Sequence, residues 1–190
     1  MFGGKSSELC KLHRQYSKKK RYISVTESEK LRLLVIKHGV DTRYDGSQHI
    51  VTHDKKKIPC ARINRLLDIN PYDWDVIIID EGQFFPDLYD WISKHFSICN
   101  TRVHVAGLNG DKNQGNFGDI NRISPFCSEE RIHYGMCAVC GEKAPFTKYR
   151  GDSVEQTVVG GDDDYYTVCH RHLDISPSEI EKYVDYSSDQ

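Results

Sequence analysis

The run Val76-Ile77-Ile78-Ile79, set between Asp75 and the pair Asp80-Glu81, constrains this chain more than any other stretch. Consecutive β-branched apolar residues read as a strand buried on both faces, which suits the interior of a parallel sheet. Two carboxylates fall where the strand ends, and Gly82 lets the chain turn. Ligands of open α/β sheets bind just beyond the carboxyl ends of the strands. An apolar strand closed by Asp-Glu has the form of a Walker B element, whose aspartate helps hold Mg2+ against nucleotide phosphates. An ordinary core strand with a solvated acidic turn fits the same residues, so the rest of the chain must decide.

With 190 residues, the chain is expected to form one domain, or one domain with a small appendage. Its net charge of -2 argues against a dedicated nucleic-acid surface. Lys18-Lys19-Lys20-Arg21 and Lys55-Lys56-Lys57 read as solvated loops. No apolar run reaches the roughly 18 residues of a membrane span. The first residues lack a secretory apolar segment, which points to the cell interior and a cytoplasmic protein. Seven cysteines, an odd number, fit a secreted disulfide framework poorly. Cys10, Cys60, Cys99 and Cys127 stand singly and read as small reduced hydrophobes.

The chain opens Met1-Phe2-Gly3-Gly4-Lys5-Ser6-Ser7, followed by Leu9, Leu12 and Tyr16 at helical spacing. This has the form of the second half of a phosphate-binding loop feeding a helix. Backbone N–H groups would cradle phosphates, Lys5 would reach the β and γ oxygens, and Ser6 would ligate Mg2+. The first glycine of the full pattern would lie upstream of Met1, as would the strand that feeds such a loop. The parallel sheet is therefore expected to lack a central strand. Residues 17–30 read as a polar surface insertion, and Leu31 to Ile36 as the next strand. Asp41-Thr42-Arg43-Tyr44 lies in a loop where Asp41 could reach a metal and Arg43 a phosphate. Ile63 to Ile69 is a short helical candidate. Pro86 should start a helix with Leu88, Trp91, Ile92 and Phe96 in the core. Arg102 to Ala106 reads as the last parallel strand, with His104 a satisfied core histidine. Asn109 to Gly118, rich in glycine and asparagine, reads as a mobile loop.

From about Tyr134 the character changes. Cys137-Ala138-Val139-Cys140 and Cys169-His170-Arg171-His172 pair a C-x-x-C with a C-x-x-H knuckle, the ligand set of a closed structural zinc site. His172 keeps the two-residue spacer; His170, adjacent to Cys169, is the sterically awkward alternative. Gln156 to Gly161 and Tyr165 to Val168 read as two strands joined by an acidic turn. The fold class expected is α/β: a P-loop-type parallel sheet with flanking helices, its first strand missing, plus a small zinc-ribbon-like β lobe. The domain division expected is 1–133 for the nucleotide-binding part, 134–175 for the zinc lobe and 176–190 for a polar, fraying tail.

Together these motifs resemble the type II thymidine kinases, the cellular and poxviral enzymes, over most of residues 1–172. The resemblance is carried by Met1-Phe2-Gly3-Gly4-Lys5-Ser6, by Asp41-Thr42-Arg43-Tyr44 with Thr52-His53-Asp54, and by Asp80-Glu81-Gly82-Gln83-Phe84-Phe85-Pro86-Asp87. The cysteine knuckles and Val159-Gly160-Gly161 leading to Tyr165 complete it. It implies transfer of the γ-phosphoryl group of ATP to the 5′-hydroxyl of thymidine, with deoxyuridine a second substrate. Gly3, Gly4, Lys5, Ser6, Ser7, Asp41, Arg43, Asp80 and Gln83 would then bind ATP and its phosphates. Ser6, Asp41 and Asp80 would serve Mg2+, and Glu81 would be the general base. The thymine pocket would use Met1, Phe84, Leu108, Phe117, Thr147, Val158 and Tyr165, with the main chain of Gln156, Thr157, Val158, Val159, Gly160 and Gly161 reading the base edge. A structural zinc on Cys137, Cys140, Cys169 and His172, a homotetramer and inhibition by thymidine triphosphate are also implied.

The chain departs from that family at two places besides its start. Asn109-Gly110-Asp111-Lys112-Asn113-Gln114 stands where the family has Asp-Gly-x-Phe-x-Arg, so Lys112 replaces a pocket phenylalanine. His172 replaces a cysteine. A catalytically impaired relative serving as a zinc-stabilised binding module is the alternative these departures favour. Retention of Lys5, Ser6, Asp41, Arg43, Asp80 and Glu81 favours the kinase. A P-loop ATPase with a nucleic-acid-binding ribbon fits worst, because Asp162-Asp163-Asp164 lies between the knuckles.

Overall fold

The computed structural model describes residues 3–41, 48–52, 55–98, 100–151, 153, 155, 160 and 164–187. In chain order the elements are α1 (Lys5–Tyr16), β1 (Lys20–Tyr22), β2 (Ser28–Lys30), β3 (Leu33–His38), β4 (His49–Val51), β5 (Lys57–Pro59), β6 (Ala61–Ile63) and β7 (Val76–Asp80). There follow α2 (Leu88–His95), β8 (Arg102–Val105), β9 (Gly135–Met136), β10 (Lys143–Ala144), β11 (Phe146–Tyr149), β12 (Tyr165–Val168) and α3 (Pro177–Ser187). Two compact units emerge: a sheet unit of Lys5–Asn109 with Gly118–Glu130, and a lobe of Met1–Gly4, Gly110–Phe117 and Arg131–Gln190.

The sheet unit is built on β7. Its neighbours are β3 and β8, with β6 beyond β3, and every pairing is parallel. Side chains alternate faces along a strand, and β7 shows the consequence. Val76 and Ile78 join a core with Leu9, Cys10 and Tyr16 of α1, while Ile77 and Ile79 join another with Leu88 and Trp91 of α2. Ile77, Ile78 and Ile79 are fully buried, each worth about 2 kcal/mol in removed apolar surface. The Trp91 indole N–H keeps a partner by donating to the Ile69 carbonyl at 3.1 Å. Among the described residues this parallel sheet has four strands, in the order β6-β3-β7-β8.

Several local expectations change. The parallel strand expected from Leu31 runs from Leu33 to His38, carrying Lys37 into the buried layer. Within residues 17–30 the chain forms the β1–β2 hairpin, tied down by Arg21 to Glu29 at 2.9 Å and Asp75 at 3.3 Å. Ile63 ends a strand, and Leu66–Asp68 makes a single 3-10 turn in place of a helix. Phe96 falls just past α2 and is exposed, since the helix stops at His95. Cys10 and Cys60 are buried as expected, whereas Cys127 is exposed; Cys99 lies outside the described residues. His104 is satisfied by the Tyr16 hydroxyl at 3.0 Å.

In the lobe, β9 pairs with β10 and β11 with β12, all antiparallel. Within the loop expected from Asn109 to Gly118, residues 110–116 form a hydrogen-bonded turn. Asp111 Oδ1 accepts from the N–H groups of Asn113 at 2.8 Å and Gly115 at 2.9 Å, and a bridge joins Gly110 to Asn116. The tail also differs from expectation, because Pro177–Ser187 is helical. Ser176 N–H donates to the Glu179 carboxylate at 2.9 Å and Glu179 N–H to Ser176 Oγ at 3.3 Å. This reciprocal capping box starts α3. Ile180 then buries fully among Cys137, Ala144, Tyr166, Val168 and Cys169. Among the described residues no helix is long and apolar enough to cross a membrane.

Candidate functional site

The carboxyl ends of β3 and β7 carry several buried charged residues of the sheet unit. Lys37 and His38 close β3 and Asp80 closes β7; Asp41 follows a turn in which its N–H donates to the His38 carbonyl at 3.1 Å. Asp41 and Asp80 are buried, as is Lys37. The Cys60 thiol lies within their field. Burial pushes it up to about 11, Lys37 opposes that shift, and Asp80 and Asp41 add to it. The Val40 N–H donates to His38 Nδ1 at 3.1 Å, and burial lowers the pKa of this imidazole against the opposing pull of Asn64 and Asp87. Asp87 in turn accepts from the Leu67 N–H at 2.9 Å.

Glu81, also buried, takes φ 52° and ψ 47°, the left-handed region that costs an ordinary residue about 1 kcal/mol or more. Gly82 N–H donates to the Ala106 carbonyl at 2.8 Å, which ties the turn after β7 to the end of β8. A Cβ at Gly82 would come within 2.6 Å of Val105, so only glycine fits. The buried Gln83 side chain donates from Nε2 to Glu81 Oε2 at 2.6 Å and accepts at Oε1 from the Leu108 N–H at 3.0 Å. Phe84 and Leu108 are half-buried in the same unit.

Lys5, Ser6 and Ser7 occupy the first turn of α1, a helix of 12 residues. Free N–H groups and the helix dipole make such a turn favourable for anions. Gly4, immediately before it, has φ 81°. Gly3 belongs to the lobe, where its carbonyl accepts from His133 Nδ1 at 3.1 Å. A hydroxyl and two buried carboxylates are hard oxygen donors, the set that suits Mg2+. Ser6, Asp41 and Asp80 therefore fit that ion by chemistry.

The lobe holds the second donor set. The ligand atoms of Cys137, Cys140, Cys169 and His172 all lie within 4.8 Å of one another. His172 Nδ1 is 3.4 Å from Cys137 Sγ and 3.3 Å from Cys169 Sγ; Cys140 and Cys169 Sγ are 3.8 Å apart. A tetrahedron with Zn–S bonds of about 2.3 Å has sulfur–sulfur edges of about 3.8 Å, so the cluster fits zinc. Burial raises the Cys137 thiol's pKa, but backbone hydrogen bonds from Cys169, Val139 and Cys140 outweigh it and the net shift is down, toward the thiolate zinc requires. His170 is not brought into the cluster: its ring packs edge-on against Phe146 at 4.7 Å.

The expected nucleoside residues divide between the units. Phe84 and Leu108 belong to the sheet unit; Lys112, Phe117, Thr147, Gly160 and Tyr165 belong to the lobe. Phe117, Thr147 and Tyr165 are buried there. Lys112 directs its ammonium to the Ser153 carbonyl and over the Tyr149 ring at 4.9 Å. Met1, Arg43, Gln156, Thr157, Val158, Val159 and Gly161 lie outside the described residues. From the sequence Lys37 was not read as a site residue, and Cys60 was read only as a small reduced hydrophobe. A lysine directly after the apolar run of β3 was the available signal; nothing local marked Cys60.

The chain matches the family model described as thymidine kinase over residues 1–173. It is 34% identical over 172 residues to the thymidine kinase of Yaba monkey tumor virus (strain VR587), covering 89% of this chain and 87% of that one. Identity to the thymidine kinase of Vaccinia virus (strain Western Reserve) is 31% over 173 residues, covering 90% of each. The thymidine kinase of Oryza sativa subsp. japonica is 34% identical over 180 residues, of which this chain covers 90% of its own length but 62% of the plant protein's. Buried Asp80 and Glu81 at the end of an interior parallel strand, a Cys3His cluster in a separate lobe and a match of this extent agree: the chain belongs to the thymidine kinase family.

Proposed function

We propose that this chain transfers the γ-phosphoryl group of ATP to the 5′-hydroxyl of thymidine. The observation that carries the reading is Glu81, a buried carboxylate on a left-handed backbone, directly after buried Asp80 at the carboxyl end of β7. Such strained, charged turns persist where chemistry uses them. As the 5′ oxygen bonds to the γ-phosphorus, its proton passes to the Glu81 carboxylate. The bond from that phosphorus to the β–γ bridging oxygen breaks, and ADP leaves with the bond's electrons. Phosphoryl transfer of this kind rests on positioning and charge neutralisation.

Lys5 and the first-turn amides of α1 hold the β and γ phosphates, with Gly3 and Gly4 permitting the approach. Magnesium, when bound through Ser6, Asp41 and Asp80, supplies positive charge to the phosphate oxygens. Arg43 answers charge on the transferred group. The family resemblance assigns reading of the thymine edge to the main chain of residues 156–161, and the ring to Met1, Phe84, Leu108, Phe117, Thr147, Val158 and Tyr165. Zinc on Cys137, Cys140, Cys169 and His172 keeps the lobe folded. Deoxyuridine is a weaker substrate, since one methyl group is worth only about 1–3 kcal/mol of discrimination. A cytoplasmic homotetramer inhibited by thymidine triphosphate completes the reading.

The test is conversion of thymidine, deoxyuridine, deoxycytidine and deoxyguanosine by the full chain with Mg2+ and ATP. Thymidine monophosphate and ADP should form in equal amounts, with little product from deoxycytidine or deoxyguanosine. ATP consumption that ignores thymidine would overturn the assignment.

A further inference from the structure

The amide of Gln83 has one end that can only accept and one that can only donate, and the protein fixes which end faces where. Leu108 N–H is a donor, so the atom 3.0 Å from it must be Oε1. Nε2 then faces Glu81 Oε2 at 2.6 Å and can only donate to it. The contact makes Oε2 the acceptor and fixes the orientation of the Glu81 carboxylate. Glycines let the chain pack closely on this residue: a Cβ at Gly107 would lie 2.8 Å from Gln83 Oε1, and one at Gly118, where φ is 56°, would lie 2.3 Å from the Gln83 backbone carbonyl oxygen. Gln83 itself is 5% exposed.

We propose that Gln83 is the positioning residue for Glu81: its amide, oriented by the Leu108 N–H, holds the carboxylate in place. This makes Gln83 part of the acid–base apparatus instead of a phosphate ligand. It also links the end of β7 to the segment after β8 through a side chain, alongside the Gly82–Ala106 backbone bond. The proposal rests on the reading of Glu81 as general base.

The experiment is steady-state kinetics for the unmodified chain, Gln83→Met, Gln83→Glu, Glu81→Gln and the double variant Gln83→Met with Glu81→Gln. Gln83→Met removes the donor at similar length. Its kcat should fall by about 10–100-fold, with the KM for ATP nearly unchanged. Gln83→Glu still accepts from Leu108 but cannot hold the Glu81 carboxylate as a donor, and its kcat should fall at least as far. In the Glu81→Gln background Gln83→Met should cost little more, because it acts through the carboxylate already lost. Unchanged kcat in both Gln83 variants, a raised KM for ATP at unchanged kcat, or a fully additive loss in the double variant would overturn the positioning role. Should Gln83→Met fail to fold, the near-isosteric Gln83→Glu, alone and with Glu81→Gln, decides. Full activity in Glu81→Gln would instead remove the base reading on which the proposal stands.

Discussion

Lys37 and Asp80 are direct partners in the parallel register of β3 and β7, and both are buried, at 2% and 3% exposure. Register partners on adjacent strands point to the same face, and Asp41 is buried close enough to act on the same Cys60 thiol. The site therefore sets a buried cation against at least two buried carboxylates before any metal or nucleotide arrives. Removing one member of such a set leaves charge uncompensated, at a cost of about 3–5 kcal/mol. Lys37→Met, similar in length, should lower stability by that order in urea unfolding, and saturating Mg2+ with ATP should restore part of the loss. A midpoint equal to that of the unmodified chain would show that Lys37 balances nothing.

Cys60 provides a pH prediction from the same corner. Burial, with Asp80 and Asp41, raises its folded pKa from 9.0 to about 11, so the thiol stays neutral in the native state while the unfolded chain ionises first. Its contribution to stability is thus complete below pH about 9 and declines as pH rises toward 11. Cys60→Ala should flatten the stability slope across that window. At pH 8 a brief iodoacetamide pulse, read by mass spectrometry, should modify exposed Cys127 well before buried Cys60. Equal labelling of the two would contradict the buried, neutral thiol.

How much of this was legible in the sequence differs from residue to residue. β7 could be read because Val76 to Ile79 is apolar at every position, which only burial on both faces explains. The metal cluster could be read because knuckle spacing fixes which side chains converge. α3 escaped because its packing against the lobe core turns on Ile180; the Ser176-x-x-Glu179 signature that starts it was present and passed over. The turn at 110–116 looked loose by composition, yet one carboxylate, Asp111, organises it. The tie of Gln83 to the Leu108 N–H was not legible, because it spans the chain distance between two strand ends that no local pattern reveals.

The zinc cluster and α3 should fail together. Ile180 shares its core with the ligands Cys137 and Cys169, and Arg150 and Tyr166 reach Glu181 at 3.2 and 3.5 Å. The purified chain should carry about one zinc, as expected of a four-ligand structural site. Cys137→Ser should lose the metal, lower the thermal midpoint and speed amide exchange in α3. His172→Cys should keep it, since zinc accepts either donor. Full exchange protection of α3 after exhaustive chelation would separate the helix from the metal.

Lys112 stands where the resembled family places a phenylalanine, but its ammonium goes to the Ser153 carbonyl and the Tyr149 ring. Tyr149 in turn packs on Tyr165 at 5.2 Å, and residues 156–161 follow shortly after Ser153. Lys112 is therefore expected to act on thymidine through the anchorage of that segment. Lys112→Met removes a charged hydrogen bond and a cation–π contact, together about a 10-fold effect. That loss should appear as a higher KM for thymidine with kcat and the KM for ATP nearly unchanged. Lys112→Arg, which can both donate and stack, should recover most of the affinity. A thymidine KM unmoved by Lys112→Met would mean that the contact with Ser153 anchors nothing the nucleoside uses.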